Sequence, residues 1–245
     1  MISFIVPAYN EEALIARTLG CIHAAAKFCL EAYEIIVADD ASTDRTAEIA
    51  RSHGARVIQV NRRQIAATRN AGALQARGER LMFVDADTLV TEAVVRAAID
   101  AMNRGAAGGG SAVSFDGDVP RYAKVMQPIL VRAFRATGLA CGCFLFCTRA
   151  AFDATGGFDE SLFASEEIWM SLAIKRQGRF VVLRESVTTS GRKLRMYTGK
   201  QVLRLFGGMM LGGPKALKKR DGLELWYSGR RDDPSSSKPL PQTGN

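Results

Sequence analysis

The 245-residue sequence predicts an α/β fold with a mostly parallel sheet flanked by helices. Two observations carry that expectation. Over the first hundred residues, short apolar runs alternate with longer segments whose apolar residues recur at helical spacing. The short runs are also apolar throughout rather than alternating, as in strands covered on both faces.

The elements follow in order. Ile2 to Val6 reads as a strand ending at Pro7, and Glu12 to Lys27 carries Ile15, Leu19, Ile22 and Ala26 at helical intervals. Tyr33 to Ala38 is a second strand, running into Asp39-Asp40. Ser42 or Thr43 is placed to cap the helix that follows, and Gly54 closes it. Arg56 to Val60 predicts a third strand and Arg63 to Arg77 a third helix, closed by Gly78. Arg80 to Val84 is a fourth strand, running into Asp85-Ala86-Asp87. Thr91 can cap a helix from Glu92 to Asn103, closed by Gly105. The second half is less regular. Ala112 to Phe115, Gly142 to Phe146 and Phe180 to Leu183 read as strands, and Glu167 to Arg176 as a helix.

Composition bounds the class. Apolar residues make up 47% of the chain and charged residues 24%, ordinary values for a globular domain. The opening Met1-Ile-Ser-Phe-Ile-Val-Pro has no basic region and no long apolar stretch, which predicts a cytoplasmic location. Five cysteines make a poor disulfide framework. Cys141, Cys143 and Cys147 read as small buried hydrophobes rather than a zinc site, with no histidine nearby in sequence. The net charge of +8 is unevenly spread. Residues 1–191 carry 21 basic and 21 acidic side chains, whereas residues 192–231 carry 11 basic and 2 acidic ones. The surplus therefore belongs to one late segment and implies an anionic partner for it.

Polar residues gather where three strands end: Pro7-Ala8-Tyr9-Asn10-Glu11, Asp39-Asp40 and Asp85-Ala86-Asp87. Ligands of open parallel sheets bind beyond the carboxyl ends of the strands, so three acidic ends would converge on one edge. Any one of these acids could simply cap a helix or shape a turn. Asp85 and Asp87 together can hold a hard divalent ion that takes phosphate oxygens and water as further ligands.

These stretches resemble an ordered set of family motifs. Pro7 to Glu12, Asp39 to Asp44, Arg69-Asn70-Ala71-Gly72, Val84 to Asp87, Gly156-Gly157-Phe158-Asp159-Glu160 and Glu166-Glu167 are similar to those of the family 2 inverting glycosyltransferases. The likeness spans roughly residues 1–190. It implies a GT-A domain, a Rossmann-like α/β fold, over residues 1–191. It implies transfer of a sugar from a nucleotide diphosphate donor, typically UDP-linked, to an acceptor hydroxyl. Carried over residue by residue, it places Pro7, Ala8, Tyr9, Glu11, Asp40, Arg69, Asp85 and Ala86 around the nucleotide sugar. Asp40 would meet the base, Asp85 the ribose, and Asp87, with Asp85, Mg2+ or Mn2+. The family has Glu-Asp where this chain has Glu166-Glu167, so the catalytic base falls on Glu167, with Glu166 as the alternative. A single carboxylate base on the face opposite the leaving group gives displacement with inversion.

Residues 192–231 predict a basic, partly apolar helical segment. It either packs on the domain or lies on an anionic membrane surface, where it would bring the enzyme to a lipid-linked acceptor at the inner face of the membrane. Arg192, Lys193 and Arg195 could instead close over the donor diphosphate. Asp232 to Asn245 reads as a disordered tail. Its Leu240-Pro241-Gln242-Thr243-Gly244 resembles a sortase signal but has no apolar stretch after it, and is set aside. Three other classes compete. A metal-dependent nucleotidyltransferase would carry a Gly-rich basic loop after the first strand, which is absent here. A non-catalytic sugar- or membrane-binding protein would not need Asp85, Asp87 and Glu167 intact. A nucleic-acid binder rests on the basic segment alone.

Overall fold

The computed structural model describes residues 1–202 except Leu30 and Cys141, together with residues 204, 217, 218 and 220. Most of the basic segment, with its apolar cluster from Leu203 to Leu211, lies outside the described residues, as does the tail 232–245.

The first half is built as the sequence predicts, with shifts of a few residues at some ends. Strands β1 (Ile2–Ala8), β2 (Tyr33–Asp40), β3 (Arg56–Val60) and β4 (Arg80–Val84) alternate with helices α1 (Ile15–Lys27), α2 (Thr46–Ser52) and α3 (Ile65–Gln75). A short strand β5 (Thr88–Leu89) precedes α4 (Glu92–Asn103). The Thr91 side chain caps α4 by accepting from Val94 N–H. The cap expected at Ser42 or Thr43 is supplied instead by Asp44, which accepts from Thr46 N–H and Thr46 Oγ1 at the start of α2. Ser42 is used elsewhere. Its hydroxyl accepts from Asn10 N–H, tying the loops after β1 and β2 together.

The second half has more structure than its sequence advertises. Strand β6 (Ala106–Phe115) is longer than expected, and helix α5 (Arg121–Thr137) was not legible. Pro128 interrupts its periodicity, and a proline inside a helical pattern normally marks an end. Strand β7 (Phe144–Thr148), helices α6 (Arg149–Thr155) and α7 (Glu166–Gln177), strand β8 (Arg179–Thr189) and a short α8 (Arg192–Met196) complete the described chain. Among the described residues, no helix is long and apolar enough to cross a membrane.

One eight-stranded sheet runs in the order β3-β2-β1-β4-β7-β6-β8-β5. Strands β1 to β4 pair in parallel, as do β6 and β8, while β7 is antiparallel to both of its neighbours. The register aligns Ala8 with Asp39 and Ile5 with Phe83, so β1, β2 and β4 all end on one edge. Alternate residues of these strands enter two cores. Phe4, Val6, Met82 and Val84 pack with α1 and α4, while Ile5, Leu81 and Phe83 pack with α3, α6 and α7. Gly72 lets α3 approach β1 closely, because a Cβ there would clash with Ile5 Cγ2. That approach seats Arg69, one turn earlier, beside the sheet edge.

Candidate active site

An open cleft lies beyond that edge. It is lined by Pro7, Ala8, Tyr9 and Glu11 from the end of β1, Asp40 from β2, and Asp85, Ala86 and Asp87 after β4. Arg63, Gln64, Ile65 and Thr68 at the start of α3, with Lys193 and Arg220, complete the wall. Asp40 and Asp87 thus face the same space.

Asp40 is held hard. One carboxylate oxygen accepts from the N–H groups of Arg62 and Arg63, and the other from Gln64 N–H and Thr68 Oγ1. Four donors match the acceptor capacity of a carboxylate, so a base reaching Asp40 has to displace or share one of them. The same bonds fix the turn that presents Arg63. The Arg63 guanidinium carbon lies 4.0 Å from the Tyr9 ring centroid, and its buried Nη1 has no hydrogen-bond partner among the described residues. A cation over a ring with a donor unspent suits a nucleotide base carbonyl or a phosphate oxygen. Sequence reasoning missed Arg63, whose only signal was its place just ahead of a helix opposite the Asp39-Asp40 strand end.

Two guanidinium groups organise the carboxylates. Arg69 is buried, and its Nη1 donates to Glu166 at 2.6 Å. Its Nη2 donates to Asp85 at 2.8 Å and to the Gly142 carbonyl at 2.9 Å. Arg192, at the start of α8, is equally buried. Its Nη2 donates to Glu11 Oε2 at 2.6 Å and to Asp87 at 3.3 Å. Asp87 also accepts from Thr189 Oγ1. Arg195, expected near the diphosphate, instead pairs with Asp116. The reach of Arg192 back to Glu11 spans 181 residues of sequence, and no local pattern announces it.

Glu166 and Glu167, adjacent at the start of α7, have different surroundings. Glu166 is buried against Arg69. Glu167 does not line the cleft directly. Its Oε1 lies 3.0 Å from where a Cβ on Gly142 would sit. Gly142 in turn touches Arg69 through its carbonyl. Burial and then the Glu166 charge push the Glu167 carboxyl up to about 8, with Arg69 pulling the other way. Among the described residues no side chain donates to it.

The donor chemistry around Asp85 and Asp87 suits Mg2+ or Mn2+, since both offer hard carboxylate oxygens at one strand end facing the cleft. Two protein carboxylates leave most of the shell to phosphate and water. Among the described residues, no cluster of three His, Cys, Asp or Glu groups is placed to hold an ion alone. Cys143 and Cys147 are buried, and burial pushes the Cys147 thiol up, as for packed hydrophobes. Cys141 lies outside the described residues.

Comparison with known proteins decides the family. Residues 3–153 match the model of glycosyl transferase family 2. The chain belongs to that family. This glycosyl transferase family 2 member is 36% identical over 107 residues to a validoxylamine A glucosyltransferase of Streptomyces hygroscopicus subsp. jinggangensis, covering 41% of this chain and 25% of that protein. It is 40% identical over 98 residues to an undecaprenyl-phosphate 4-deoxy-4-formamido-L-arabinose transferase of Pseudomonas aeruginosa, covering 36% of this chain and 28% of that one. The family 2 chain thus matches about a quarter of the length of these relatives. Its fold is shared with a mannosyltransferase from Pyrobaculum calidifontis solved with GDP-Man and Mn2+, at a TM-score of 0.67 and 20% identity, over 89% of this chain and 64% of that one. It is shared also with S. aureus TarS solved with UDP-GlcNAc, at a TM-score of 0.60 and 21% identity, over 77% of this chain and 58% of that one. The architecture is therefore GT-A, the mixed, mostly parallel sheet flanked by helices that the sequence predicts.

Proposed function

We propose that this chain transfers a sugar from a nucleotide diphosphate donor, UDP-linked, to the hydroxyl of an acceptor carried on a lipid, with inversion at the transferred carbon. The observation that carries the reading is the single cleft in which Tyr9, Arg63 and Asp40 face Asp85 and Asp87, with Glu167 one residue layer behind. Tyr9, Arg63 and Asp40 hold the base. Asp85 meets the ribose, fixed in direction by Arg69. Lys193 and Arg220 supply positive charge for the diphosphate. Asp87, with Asp85, would hold Mg2+ or Mn2+, whose charge would stabilise the departing diphosphate.

Glu167 is the base in this reading. Glu166 is committed to Arg69, whereas among the described residues no side chain donates to the Glu167 carboxylate, which holds its proton up to about pH 8. A general base works best when its affinity for the proton sits near the operating pH. Glu167 takes the acceptor proton as the hydroxyl oxygen attacks. Arg69 limits how far the neighbouring negative charges raise its proton affinity. The acceptor class is taken from the undecaprenyl-phosphate relative. Residues 1–191 form the transferase domain and the basic segment that follows serves the diphosphate.

The test is donor turnover. Purified chain is incubated with UDP- and GDP-linked sugars, with Mn2+ or with a chelator, and free nucleoside diphosphate is measured with and without a polyprenyl-diphosphate-linked sugar, whose hydroxyls are the acceptor. Release that needs the ion and rises with acceptor supports the reading. No release from any donor, with Asp87→Ala indistinguishable from the parent in nucleotide binding, would remove it.

A further inference from the structure

The helix α5 is amphipathic, yet its apolar side faces away from the protein. Of its 17 residues only Ala123 is buried, whereas α4 buries six of 12. Val125, Met126, Ile129 and Leu130 are 64%, 47%, 56% and 43% exposed. Scattered exposed apolar residues are normal, but four large ones on neighbouring turns form a patch. The helix also carries an interior Pro128, which removes one backbone hydrogen bond and weakens the helix. Most helical stability in proteins comes from burial of an apolar face, and α5 has little of that among the described residues.

The charges are equally one-sided. Arg121, Lys124, Arg132 and Arg135 lie on α5, and the helix has no acidic residue. Successive residues turn by about 100° around a helix axis. Val125, Met126, Ile129, Leu130 and Ala133 then share one arc, and the four cations fill the arc beside it. Ala123, Gln127 and Phe134 form the third, packed arc, where Gln127 donates to the Val113 carbonyl of β6. Among the described residues Arg121 and Arg132 have no acidic partner, and the Lys124–Asp118 pair is exposed on both sides. An apolar arc bordered by exposed cations suits a surface that is greasy inside and anionic at its edge.

We infer that α5 is a bilayer-docking helix, which lays its Val125-Met126-Ile129-Leu130 face into an anionic lipid surface with its arginines at the headgroups. This placement does not depend on the sugar-transfer reading, and its assay needs no turnover. It differs from the basic segment after residue 191, whose membrane role was the expectation from sequence. It also sets the cleft near the lipid, because Tyr122 at the start of α5 donates to the Leu194 carbonyl of α8, the helix that brings Arg192 to Asp87.

The experiment is sedimentation of the full chain with vesicles of phosphatidylcholine alone or mixed with phosphatidylglycerol. The parent should bind the anionic vesicles, and more weakly as salt rises. Arg121→Ala and Arg132→Ala should each weaken binding about fivefold, from about 1 kcal/mol per cation near an anionic surface. Ile129→Glu and Leu130→Glu should each weaken it by roughly tenfold or more. All four positions are exposed, so the variants should melt with the parent, and a melting scan checks this. Failure of the parent to bind overturns the proposal. So does equal binding to neutral vesicles, or unchanged binding by both glutamate variants, which would move the contact elsewhere. A parent that is dimeric without lipid and becomes monomeric as Ile129→Glu would assign the face to a second copy instead.

Discussion

Arg69→Met tests the charge arrangement most directly. The substitution keeps a long side chain in place and deletes the guanidinium. What it leaves behind can be worked from the contacts. Glu166, with a side chain only 5% exposed, loses its 2.6 Å partner, and the Gly142 carbonyl loses a 2.9 Å donor. Breaking a buried pair by removing one member costs about 3–5 kcal/mol, because the survivor stays charged without compensation. The Asp85 half of the network is more exposed, at 27%, and adds little. The expected loss is therefore about 3–4 kcal/mol, after some return from the buried methionine. For a chain of this size that corresponds to a fall in Tm of roughly 6–16 °C. The deficit should also depend on pH. An uncompensated buried carboxylate takes up a proton rather than staying charged, so the gap between variant and parent should shrink from pH 8 to pH 5. Urea unfolding of both proteins at the two pH values measures it. A loss below about 1 kcal/mol at pH 8, or a larger loss at pH 5, would refute the view that Arg69 compensates a buried Glu166.

Glu167→Gln should keep donor affinity in calorimetry and lose transfer by more than a hundredfold, as removal of a general base does. If Glu166→Gln shows that pattern instead, the base is one residue earlier. Because the folded Glu167 carboxyl is raised to about 8 from 4.5, its favourable contribution to stability is full below about pH 4.5 and lost as pH climbs through 8. Thermal stability of the Gln variant relative to the parent should therefore improve between pH 5 and pH 9. Transfer by the parent should rise with pH over the same window, and a flat profile there would count against Glu167. Arg192→Met leaves Glu11 and Asp87 without their shared cation. Mn2+ should bind this variant several-fold more tightly in calorimetry, and raise its Tm more than the parent's. Gly72→Ala gains about 1 kcal/mol of helix propensity but forces a Cβ against the fully buried Ile5. Overpacking costs about 1–3 kcal/mol, so a net loss in urea unfolding is expected, with weaker donor binding as Arg69 shifts.

The sequence was legible where structure is local. The four parallel strands of the first half are short, apolar and closed by glycine, capping or acidic residues, so their ends and the convergence of Asp40, Asp85 and Asp87 could be placed from spacing alone. The cap of α2 was placed one or two residues early because Ser42, Thr43 and Asp44 are all good capping types. The choice went to Asp44 once Asn10 claimed Ser42. Helix α5 was hidden by Pro128 and by an apolar face that meets no core. The length of β8 was hidden because much of it is only half-buried and lacks a continuous apolar run. What sequence could not supply were the long-range partners. Asp40 was found, but not the turn at 62–64 that it ties down. Asp87 was found, but not Arg192, since a pairing over 105 residues leaves no periodic trace.

The distribution of counter-charges along the chain has a bearing on synthesis. The stretch that carries the nucleotide-facing motifs emerges from the ribosome first, but the groups that neutralise it come late. Glu166 reaches Arg69 across 97 residues, and Arg192 reaches Glu11 across 181. Until those arrive, a nascent amino-terminal half would have to bury a bare guanidinium and a bare carboxylate, or leave its sheet edge open to water. The pocket is thus a late product of folding, and a chain cut short before α7 would present the motifs at the ends of β1, β2 and β4 without the electrostatic closure that lets them settle.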